Sequence, residues 1–256
     1  MHMTGSPANK TRSYGGSKAL LLAGGVGARL RPLTDRVPKC LIPIAGRPLL
    51  DYWFDALAVA GIEDVLINTH HLADQVRRYV ERKNERGEFK VVEAYEPELL
   101  GSAGTVHANR NWVDDADQCL IIYADNLSNV SLVELLRYHG SHDDPMTMML
   151  FQAAEPKRSG IVELDNAQRV VSFTEKPQKP KSDLANAGLY VLTADACREI
   201  ADMNVFDFGF DVLPKFVGRM RGWTFEGYHR DIGTSQALRE AELAAPRVFA
   251  KVKAKR

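Results

Sequence analysis

The sequence predicts an α/β fold, a single domain with a doubly wound, mixed sheet. Short apolar runs alternate with helical patterns of about 10 to 15 residues in the first half. In the second half, strands follow one another through turns, and no repeat or linker divides the chain. The 256 residues, 45% hydrophobic and 26% charged, suffice for one such domain with a substantial core.

The first half is predicted to form the parallel part of the sheet. Short, apolar runs indicate strands that are buried on both faces. The four predicted strands are Lys18–Ala23, Asp64–Thr69, Lys90–Tyr95 and Cys119–Tyr123. A helix is predicted over Pro48–Ala60, because proline favours its first position and Gly61 its end. An amphipathic helix is predicted over Ala73–Arg86.

The second half is predicted to be mixed, with a hairpin turn at Asp165–Ala167. Its predicted strands are Met146–Ala153, Val170–Glu175, Asn186–Leu192 and Trp223–Tyr228. Its predicted helices are Leu213–Met220 and Ser235–Ala245. We expect the domain to span residues 18–245, between a flexible tail at residues 1–17 and a basic tail at residues 246–256.

Composition argues against several classes of partner. Lysine plus arginine equals aspartate plus glutamate at 33 each, so no net charge attracts nucleic acid or a membrane surface. No apolar run approaches the length of a membrane span, and the polar amino terminus lacks the apolar core of a signal peptide. The three scattered cysteines fit no zinc or disulfide pattern and indicate free thiols. These observations predict a cytoplasmic protein.

The segment "LLAGGVGARLRPLTDRVPKC", residues 21–40, is the first candidate for a functional site. Its glycines, Gly24, Gly25 and Gly27, let backbone N–H groups approach an anion after the first strand. Arg29 offers a planar fork for phosphate oxygens, and Lys39 adds a point charge. The pattern indicates a loop that binds a triphosphate.

Two common phosphate-binding patterns are excluded, and an alternative stays open. A P-loop needs lysine directly after its last glycine, whereas Ala28 follows Gly27 here. The dinucleotide fingerprint needs a third glycine where Leu30 stands. The glycines alone also fit an ordinary turn flanked by surface arginines. Arg31 and Arg36 are interpreted as surface or structural charges.

Six ordered blocks resemble one family. The pattern LAGGxGxRLxPLTxxxPK is similar to that of the sugar-1-phosphate nucleotidyltransferases, or nucleotide-sugar pyrophosphorylases. The resemblance spans Lys18–Ala245 and continues at Glu96–Val106, Tyr123–Asp125, Phe173–Pro177, Asn186–Tyr190 and Asp231–Leu238. It implies the Rossmann-like, GT-A-like fold of nucleotide-diphospho-sugar transferases. The left-handed β-helix domain of longer relatives has no room in this sequence, so none is expected.

Within that family, the chain most resembles short bacterial guanylyltransferases for manno-configured sugar 1-phosphates. The segments "NTHHLADQV", "LLGSAGT" and "YADNL" favour D-glycero-D-manno-heptose 1-phosphate over mannose 1-phosphate, for capsule or another surface polysaccharide. A uridylyl- or thymidylyltransferase, or a non-catalytic subunit that binds a nucleotide sugar, remains an alternative. Ala28, Cys40 and Ala124 depart from the family pattern, but none of them removes a needed charge.

The implied reaction joins a sugar 1-phosphate to the α-phosphorus of a nucleoside triphosphate, GTP as the best interpretation, and releases pyrophosphate. By its match to the family pattern, Arg29 is expected to hold the β- and γ-phosphates, and Lys39 the α-phosphate. Lys176 is expected to bind the phosphate of the sugar, and Glu175 its hydroxyls. Positioning and electrostatics suffice for such a transfer, so no covalent intermediate is expected.

The resemblance also assigns a metal site and further binding residues. Asp125 and Asp231 are expected to hold Mg²⁺ together with phosphate oxygens. On the sugar side, the expected residues are Asn186, Gly188 and Asp211. On the nucleotide side they are Ala23, Gly24, Gly25, Gly27, Glu96 and Gly101. Glu96 can accept from both N–H groups of guanine, which favours guanine only slightly.

Histidines and self-association complete the sequence-based expectations. His70 and His71 are adjacent, so their side chains point in different directions, and loop support is favoured over metal binding. His229 is interpreted as a structural residue or as support for Asp231. A homo-oligomer is expected because members of the resembled family commonly self-associate.

Overall fold

The structure, a computed structural model that describes residues 16–250, is built around one nine-stranded mixed sheet. Two further two-stranded sheets lie beside it. The strands are β1 Ser17–Leu22, β2 Pro43–Ile44, β3 Arg47–Pro48, β4 Asp64–Thr69, β5 Lys90–Tyr95, β6 Gln118–Tyr123, β7 Asn126–Ser128, β8 Met146–Gln152, β9 Gly160–Leu164, β10 Val170–Glu175, β11 Leu184–Thr193, β12 Met220–Thr224 and β13 His229–Asp231.

Helices cover both faces of this sheet. They are α1 Leu49–Ala60, α2 Ala73–Glu85, α3 Gly101–Ala108, α4 Arg110–Asp114, α5 Leu132–His139, α6 Ala194–Asp202, α7 Leu213–Phe216 and α8 Ser235–Val248. A π-helix, Phe208–Val212, precedes α7 directly, and short 3-10 helices lie at Ala28–Leu30, Leu33–Asp35, Lys39–Leu41 and Pro156–Arg158. No helix within residues 16–250 has both the length and the apolar character needed to cross a bilayer.

The parallel strands lie in the order β5, β4, β1, β6. After β1 the chain adds β4 and β5 on one side and then returns to add β6 on the other side, so the strand order reverses at β1. Open α/β sheets bind ligands where the strand order reverses, at the carboxyl ends of the strands. Beyond β6 the sheet becomes antiparallel through β11, which also pairs with β8 and β9. This single mixed sheet confirms the predicted α/β class.

Alternation along the buried strands divides the core into two layers. In β1, Ala19 and Leu21 face the layer that contains Trp53, whereas Leu20 faces the layer that contains Tyr190. The indole N–H of Trp53, buried in α1, donates to the carbonyl of Asn126 at 2.9 Å. This bond ties α1 to the chain immediately after β6, so core packing also positions that edge of the sheet.

The predicted elements of the first half are confirmed to within a few residues. Helix α1 begins after Pro48 and ends at Gly61, whose φ of 69° closes the last turn. The hairpin is also confirmed, because β9 and β10 pair antiparallel across a turn in which Asp165 accepts backbone hydrogen bonds from Ala167 and Arg169.

Three expectations for the end of the chain are corrected. The helix predicted over Leu213–Met220 ends at Phe216, because Gly218, with φ 81°, turns the chain so that Met220 begins β12. The strand predicted over Trp223–Tyr228 ends at Thr224, and a separate β13 follows.

The last helix continues past Ala245 to Val248, and the ring of Phe249 packs on Tyr52 at 4.5 Å. The start of the predicted basic tail is therefore folded against the domain. The remainder of that tail, residues 251–256, and residues 1–15 of the predicted amino-terminal tail lie outside the described residues.

Candidate active site

Two adjoining cavities lie at the carboxyl edge of β1 and β6. The first, of about 290 Å³, is lined by the loop after β1 and by the loop that begins at Glu96. The second, of about 260 Å³, is lined by residues of β9, β10 and β11. Tyr123, Asp125 and Asp207 line both cavities. Most of the predicted nucleotide residues, Ala23, Gly24, Gly25, Glu96 and Gly101, therefore lie on one side of Asp125, and Glu175, Lys176, Asn186 and Gly188 lie on the other. Gly27, Arg29 and Asp211 line neither cavity.

Asn68, at the end of β4, organises the wall formed by the loop after β1. Its side-chain oxygen accepts from the backbone N–H groups of Ala23 at 2.6 Å and Gly24 at 3.1 Å. Those two N–H groups are thus already hydrogen-bonded. A Cβ added to Gly25 would have no neighbouring atom of the described residues within 4 Å, so the space beside this glycine is open. Sequence reasoning missed Asn68, although a polar residue at the carboxyl end of a buried strand is the relevant signal.

Glu96 lies in the first cavity but is only 2% exposed. One of its carboxylate oxygens accepts from Thr105 at 2.6 Å and from Asn68 at 3.1 Å, and the other accepts from the backbone N–H of Leu100 at 3.1 Å. These three donors make the carboxylate a support for the loop. Recognition of a base by Glu96 stays a prediction. It would use the remaining lone pair of the second carboxylate oxygen, which among residues 16–250 accepts only from Leu100.

Gly27 and Arg29 form the outer part of the glycine loop. Gly27 has φ 66°, and a Cβ there would lie 2.8 Å from the side chain of Thr34, so glycine is required for this turn. The turn starts the 3-10 helix that carries Arg29, whose side chain is 57% exposed. Its guanidinium lies 3.5 Å from Asp231 and is largely free to bind an anion.

Lys39 forms the charged centre of the site. Its side chain is only 6% exposed, and its ammonium donates to Asp125 at 2.7 Å and to Asp231 at 2.8 Å. Burial would lower the pKa of Lys39, but the two carboxylates outweigh it and raise that pKa. Burial likewise opposes ionisation of Asp231, yet Lys39 and the N–H of Gly233 lower its pKa overall. Both shifts favour the charged forms of Lys39 and Asp231.

The two aspartates fit the expectation of a magnesium site. Hard carboxylate oxygens are the ligands that Mg²⁺ prefers, and it commonly takes one or two carboxylates with phosphate oxygens and water. Asp125 and Asp231 are brought together across 106 residues by their shared lysine, and their side chains are 37% and 53% exposed. Residues 16–250 contain no cluster of three or more ligating side chains, so phosphate oxygens would have to complete the shell.

Cys40, next to Lys39, is not a candidate nucleophile. Its side chain is 1% exposed, and burial raises the pKa of its thiol to about 12. A thiol with that pKa is protonated at neutral pH and unreactive. Cys119 and Cys197 are also free and buried, which agrees with the interpretation of all three cysteines.

Glu175 and Lys176 lie together on the wall of the second cavity. Their charged groups are 3.4 Å apart, and the Lys176 side chain is 59% exposed while that of Glu175 is 15% exposed. Burial raises the pKa of Glu175, and Lys176 opposes that shift. A Cβ on Gly160 or Gly209 would lie within 3 Å of the Glu175 carboxylate, so these glycines leave the space that it fills.

Asn186 and Gly188 lie beside this pair in β11. The Asn186 amide donates to the Tyr190 hydroxyl at 2.7 Å and accepts from the N–H of Gly188 at 2.9 Å. Gly188 has φ 68°, and a Cβ there would lie 3.0 Å from the ring of Tyr123. Both residues line the second cavity, and part of their role is to hold the irregular turn of β11 beside Tyr123.

Asp211 was predicted to contact the sugar, but the structure places it outside the cavity assigned to the sugar. It lines neither cavity, and its carboxylate accepts from the backbone N–H groups of Phe206 at 3.1 Å and Asp207 at 2.8 Å. Asp207, which lines both cavities, is the aspartate of this segment that reaches the site. Sequence reasoning missed it because two aspartates four residues apart give no signal about which one turns inward.

The histidines behave largely as expected. The His70 ring bonds to the carbonyl of Glu96 at 2.8 Å and the His71 ring to that of Thr34 at 2.6 Å, so each supports a different loop. His229 lines the second cavity and packs on Phe151 at 4.8 Å. Burial lowers the pKa of His229 to about 4, which leaves it neutral beside Asp231.

A larger depression, of about 630 Å³, lies between α2 and the end of β5. None of the predicted site residues lines it. Two arginines line it, Arg77 and Arg78, and Arg77 is already paired with Glu93. Arg31 is similarly paired with Asp35 at 3.2 Å, in agreement with its interpretation as a surface charge. The charge arrangement, and not cavity size, therefore locates the candidate site.

Known proteins resemble this chain over most of its length. The family model described as Nucleotidyl transferase matches residues 18–247. A protein of Sulfolobus acidocaldarius assigned as a mannose-1-phosphate guanyltransferase is 31% identical over 84% of this chain and 59% of its own length. The mannose-1-phosphate guanyltransferase of Aspergillus fumigatus is 29% identical over 90% of this chain and 68% of its own. A glucose-1-phosphate adenylyltransferase of Bacillus thuringiensis is 29% identical over 88% of this chain and 66% of its own.

The chain therefore spans about three fifths to two thirds of the length of these curated relatives. A solved structure from Bacillus anthracis, assigned as a glucose-1-phosphate thymidylyltransferase, shares the fold with a TM-score of 0.76 at 22% identity, over 90% of this chain and 95% of that one. The chain belongs to the nucleotidyl transferase family, among the sugar-1-phosphate nucleotidyltransferases, as its ordered sequence blocks predicted.

Proposed function

We propose that this chain condenses a sugar 1-phosphate with a nucleoside triphosphate to give a nucleoside diphosphate sugar and pyrophosphate. The observation that carries the proposal is the cluster of Lys39, Asp125 and Asp231 where the two cavities adjoin. A nucleotide in the first cavity and a sugar phosphate in the second would bring their phosphates to this cluster. Family membership supports the same reaction class.

In this reaction an oxygen of the sugar phosphate forms a bond to the α-phosphorus, and the bond from that phosphorus to the bridging oxygen of pyrophosphate breaks. The nucleophile is already an anion, so the protein needs no general base. Lys39 neutralises charge at the α-phosphate, and exposed Arg29 holds the departing pyrophosphate. Lys176, exposed beside Glu175, binds the phosphate of the sugar, and Glu175 accepts from its hydroxyls.

We assign Mg²⁺ to Asp125 and Asp231. When bound, the ion would neutralise phosphate charge and align the two substrates. Lys39 already holds both carboxylates in one cluster, because its ammonium contacts each of them. Asn68 contributes by fixing the backbone of Ala23 and Gly24, which sets the wall against which the nucleotide lies.

For the substrates, we propose GTP and D-glycero-D-manno-heptose 1-phosphate, with mannose 1-phosphate as the second candidate. The guanyltransferase names of relatives at 29–31% identity support guanine. A relative at 29% identity is named as an adenylyltransferase, so the assay below also includes other bases. The heptose assignment rests on the segments at residues 68–76, 99–105 and 123–127. The buried free thiols support a reducing, cytoplasmic compartment. Self-association into a homo-oligomer stays a prediction.

The test is a matrix of the four ribonucleoside triphosphates and dTTP against heptose, mannose and glucose 1-phosphates, with pyrophosphate release measured in Mg²⁺. We expect the fastest turnover with GTP and the heptose phosphate. Turnover with another nucleotide and not with GTP would replace the guanylyl assignment. Absence of turnover in every combination would reject the enzyme and favour a subunit that binds nucleotide sugars without catalysis.

A further inference from the structure

Phe206 is an aromatic residue that the reaction described above does not use. Its side chain lies at the first cavity, yet the residue is 59% exposed. Leu99, which is 39% exposed, lines the same cavity. The charged cluster lies elsewhere in that cavity, at Lys39 and Asp125. Phe206 and Leu99 therefore give this cavity an exposed apolar surface that a flat, apolar part of a ligand would bury.

The backbone of Phe206 is held on both sides. Its N–H donates to the carboxylate of Asp211 at 3.1 Å, and its carbonyl accepts from the N–H of Ala103 at 3.0 Å. The second bond connects it to the first turn of α3, and Asp211 also holds Asp207. Asp211 therefore acts as a clamp on the segment that presents the ring. An aromatic ring on a fixed backbone loses little freedom when a ligand covers it.

Gly101 makes room for this arrangement. A Cβ on Gly101 would lie 2.3 Å from the Phe206 carbonyl oxygen and 2.8 Å from two atoms of its ring. The φ of Gly101 is 79°, which also favours glycine. Two residues that sequence analysis assigned to direct substrate contact, Gly101 and Asp211, thus meet at Phe206 and determine where its ring lies.

We propose that the ring of Phe206 is the face on which the nucleobase stacks, and that Gly101 and Asp211 are the positioning residues that hold it there. This inference rests on the proposed function, because it requires a nucleotide in the first cavity. Base–aromatic stacking suits this position, since a fixed, flat, apolar ring complements the π-face of any base. Phe206 lines only the cavity of the glycine loop and not the one beside Lys176, which assigns it to the base and not to the sugar.

The experiment compares binding of a nucleotide with binding of its phosphates alone. Dissociation constants for GTP, ATP, UTP and inorganic tripolyphosphate are measured by calorimetry on the full chain. The proteins are wild type, Phe206→Ala, Phe206→Trp and Asp211→Ala. Leu243→Ala is the matched control, because Leu243 is a 76% exposed apolar residue on α8 outside both cavities. Thermal unfolding verifies that each variant is folded.

Phe206→Ala is expected to raise the dissociation constant of the tightest-binding nucleotide by about tenfold or more and to leave that of tripolyphosphate unchanged. Phe206→Trp should retain nucleotide affinity. Asp211→Ala should weaken nucleotide binding in the same way as Phe206→Ala but to a smaller extent, and Leu243→Ala should match wild type. Equal weakening of nucleotide and tripolyphosphate, or no weakening at all, would overturn the stacking role. A change in oligomeric state without a change in nucleotide affinity would reassign Phe206 to a contact between copies. A wild-type protein that binds none of the nucleotides would instead reject the proposed function itself.

Discussion

Lys39→Met tests the charged centre of the site directly. The substitution removes the ammonium that Asp125 and Asp231 share and keeps most of the side-chain volume. Because both carboxylate oxygens accept from one nitrogen, they lie less than about 6 Å apart, where two like charges repel by about 3 kcal/mol at an effective dielectric constant of about 20. Both carboxylates are more than a third exposed, so screening reduces this to about 1–2 kcal/mol.

Three outcomes are expected from Lys39→Met. The rate of pyrophosphate release should fall by about 10²- to 10³-fold, the usual cost of removing a preorganised charge from a reacting phosphate. The free energy of unfolding should also fall by about 1–2 kcal/mol, from the repulsion between the carboxylates. Mg²⁺ should raise the melting temperature of the variant more than that of wild type, because the ion replaces the missing positive charge. Steady-state kinetics and thermal unfolding with and without Mg²⁺ measure these effects.

Lys83→Met is the matched control for Lys39→Met. Lys83 is a lysine of similar burial, 12% exposed, whose ammonium lies 2.9 Å from Asp51. Its loss should lower stability without changing the rate or the response to Mg²⁺. If Lys39→Met retains a rate within about fivefold of wild type, Lys39 does not supply the stabilisation assigned to it.

Three further predictions follow from the structure. Pyrophosphate release should be abolished in both Asp125→Ala and Asp231→Ala. Their circular dichroism spectra should stay native, because both side chains are partly exposed. Measurable turnover in either variant would remove that aspartate from the metal site. Gly101→Ala should lower the free energy of unfolding by about 1–3 kcal/mol in urea titrations, because its Cβ would meet the Phe206 carbonyl oxygen at 2.3 Å. Burial lowers the pKa of His139 from 6.5 to about 4, with the His142 ring adding to the shift. Between those pH values the unfolded chain binds a proton at His139 that the folded chain does not, so this residue alone should lower stability by up to about 3 kcal/mol as pH falls. His229, whose pKa is also lowered to about 4, contributes in the same direction, so His139→Gln should reduce the slope without abolishing it, and an unchanged slope would contradict the assignment.

The parallel part of the fold was predictable because strands buried on both faces must be apolar throughout. β1, β4 and β6 appear as largely apolar runs, and Pro48 and Gly61 delimit α1. β5 lies at the edge of the sheet and alternates instead, with Val91 buried and Val92 exposed. The segment 208–216 was not predictable to the same degree. There a π-helix precedes a single turn of α-helix, and the apolar spacing of such a segment resembles that of one longer helix.

The resemblance to the family, and not the charges alone, grouped the charged residues of the candidate site before the structure was known. Lys39, Asp125 and Asp231 meet in the structure, although 192 residues separate the first from the last. The structure differs from expectation where a polar side chain supports a loop. Glu96 and Asp211 both accept backbone N–H groups, a local role that a sequence motif cannot distinguish from ligand binding.

The position of β6 between a parallel and an antiparallel neighbour has a consequence for how substrate preference can diverge. The parallel neighbour β1 leads into the nucleotide wall, whereas the antiparallel neighbour β11 carries Asn186 and Gly188 of the sugar wall. Much of each wall therefore comes from a different stretch of the chain, and the two walls meet at Tyr123, Asp125 and Asp207, which line both cavities. Under the proposed function, exchange of residues 146–193 between relatives would alter part of the wall assigned to the sugar and leave the glycine loop and Lys39 unchanged.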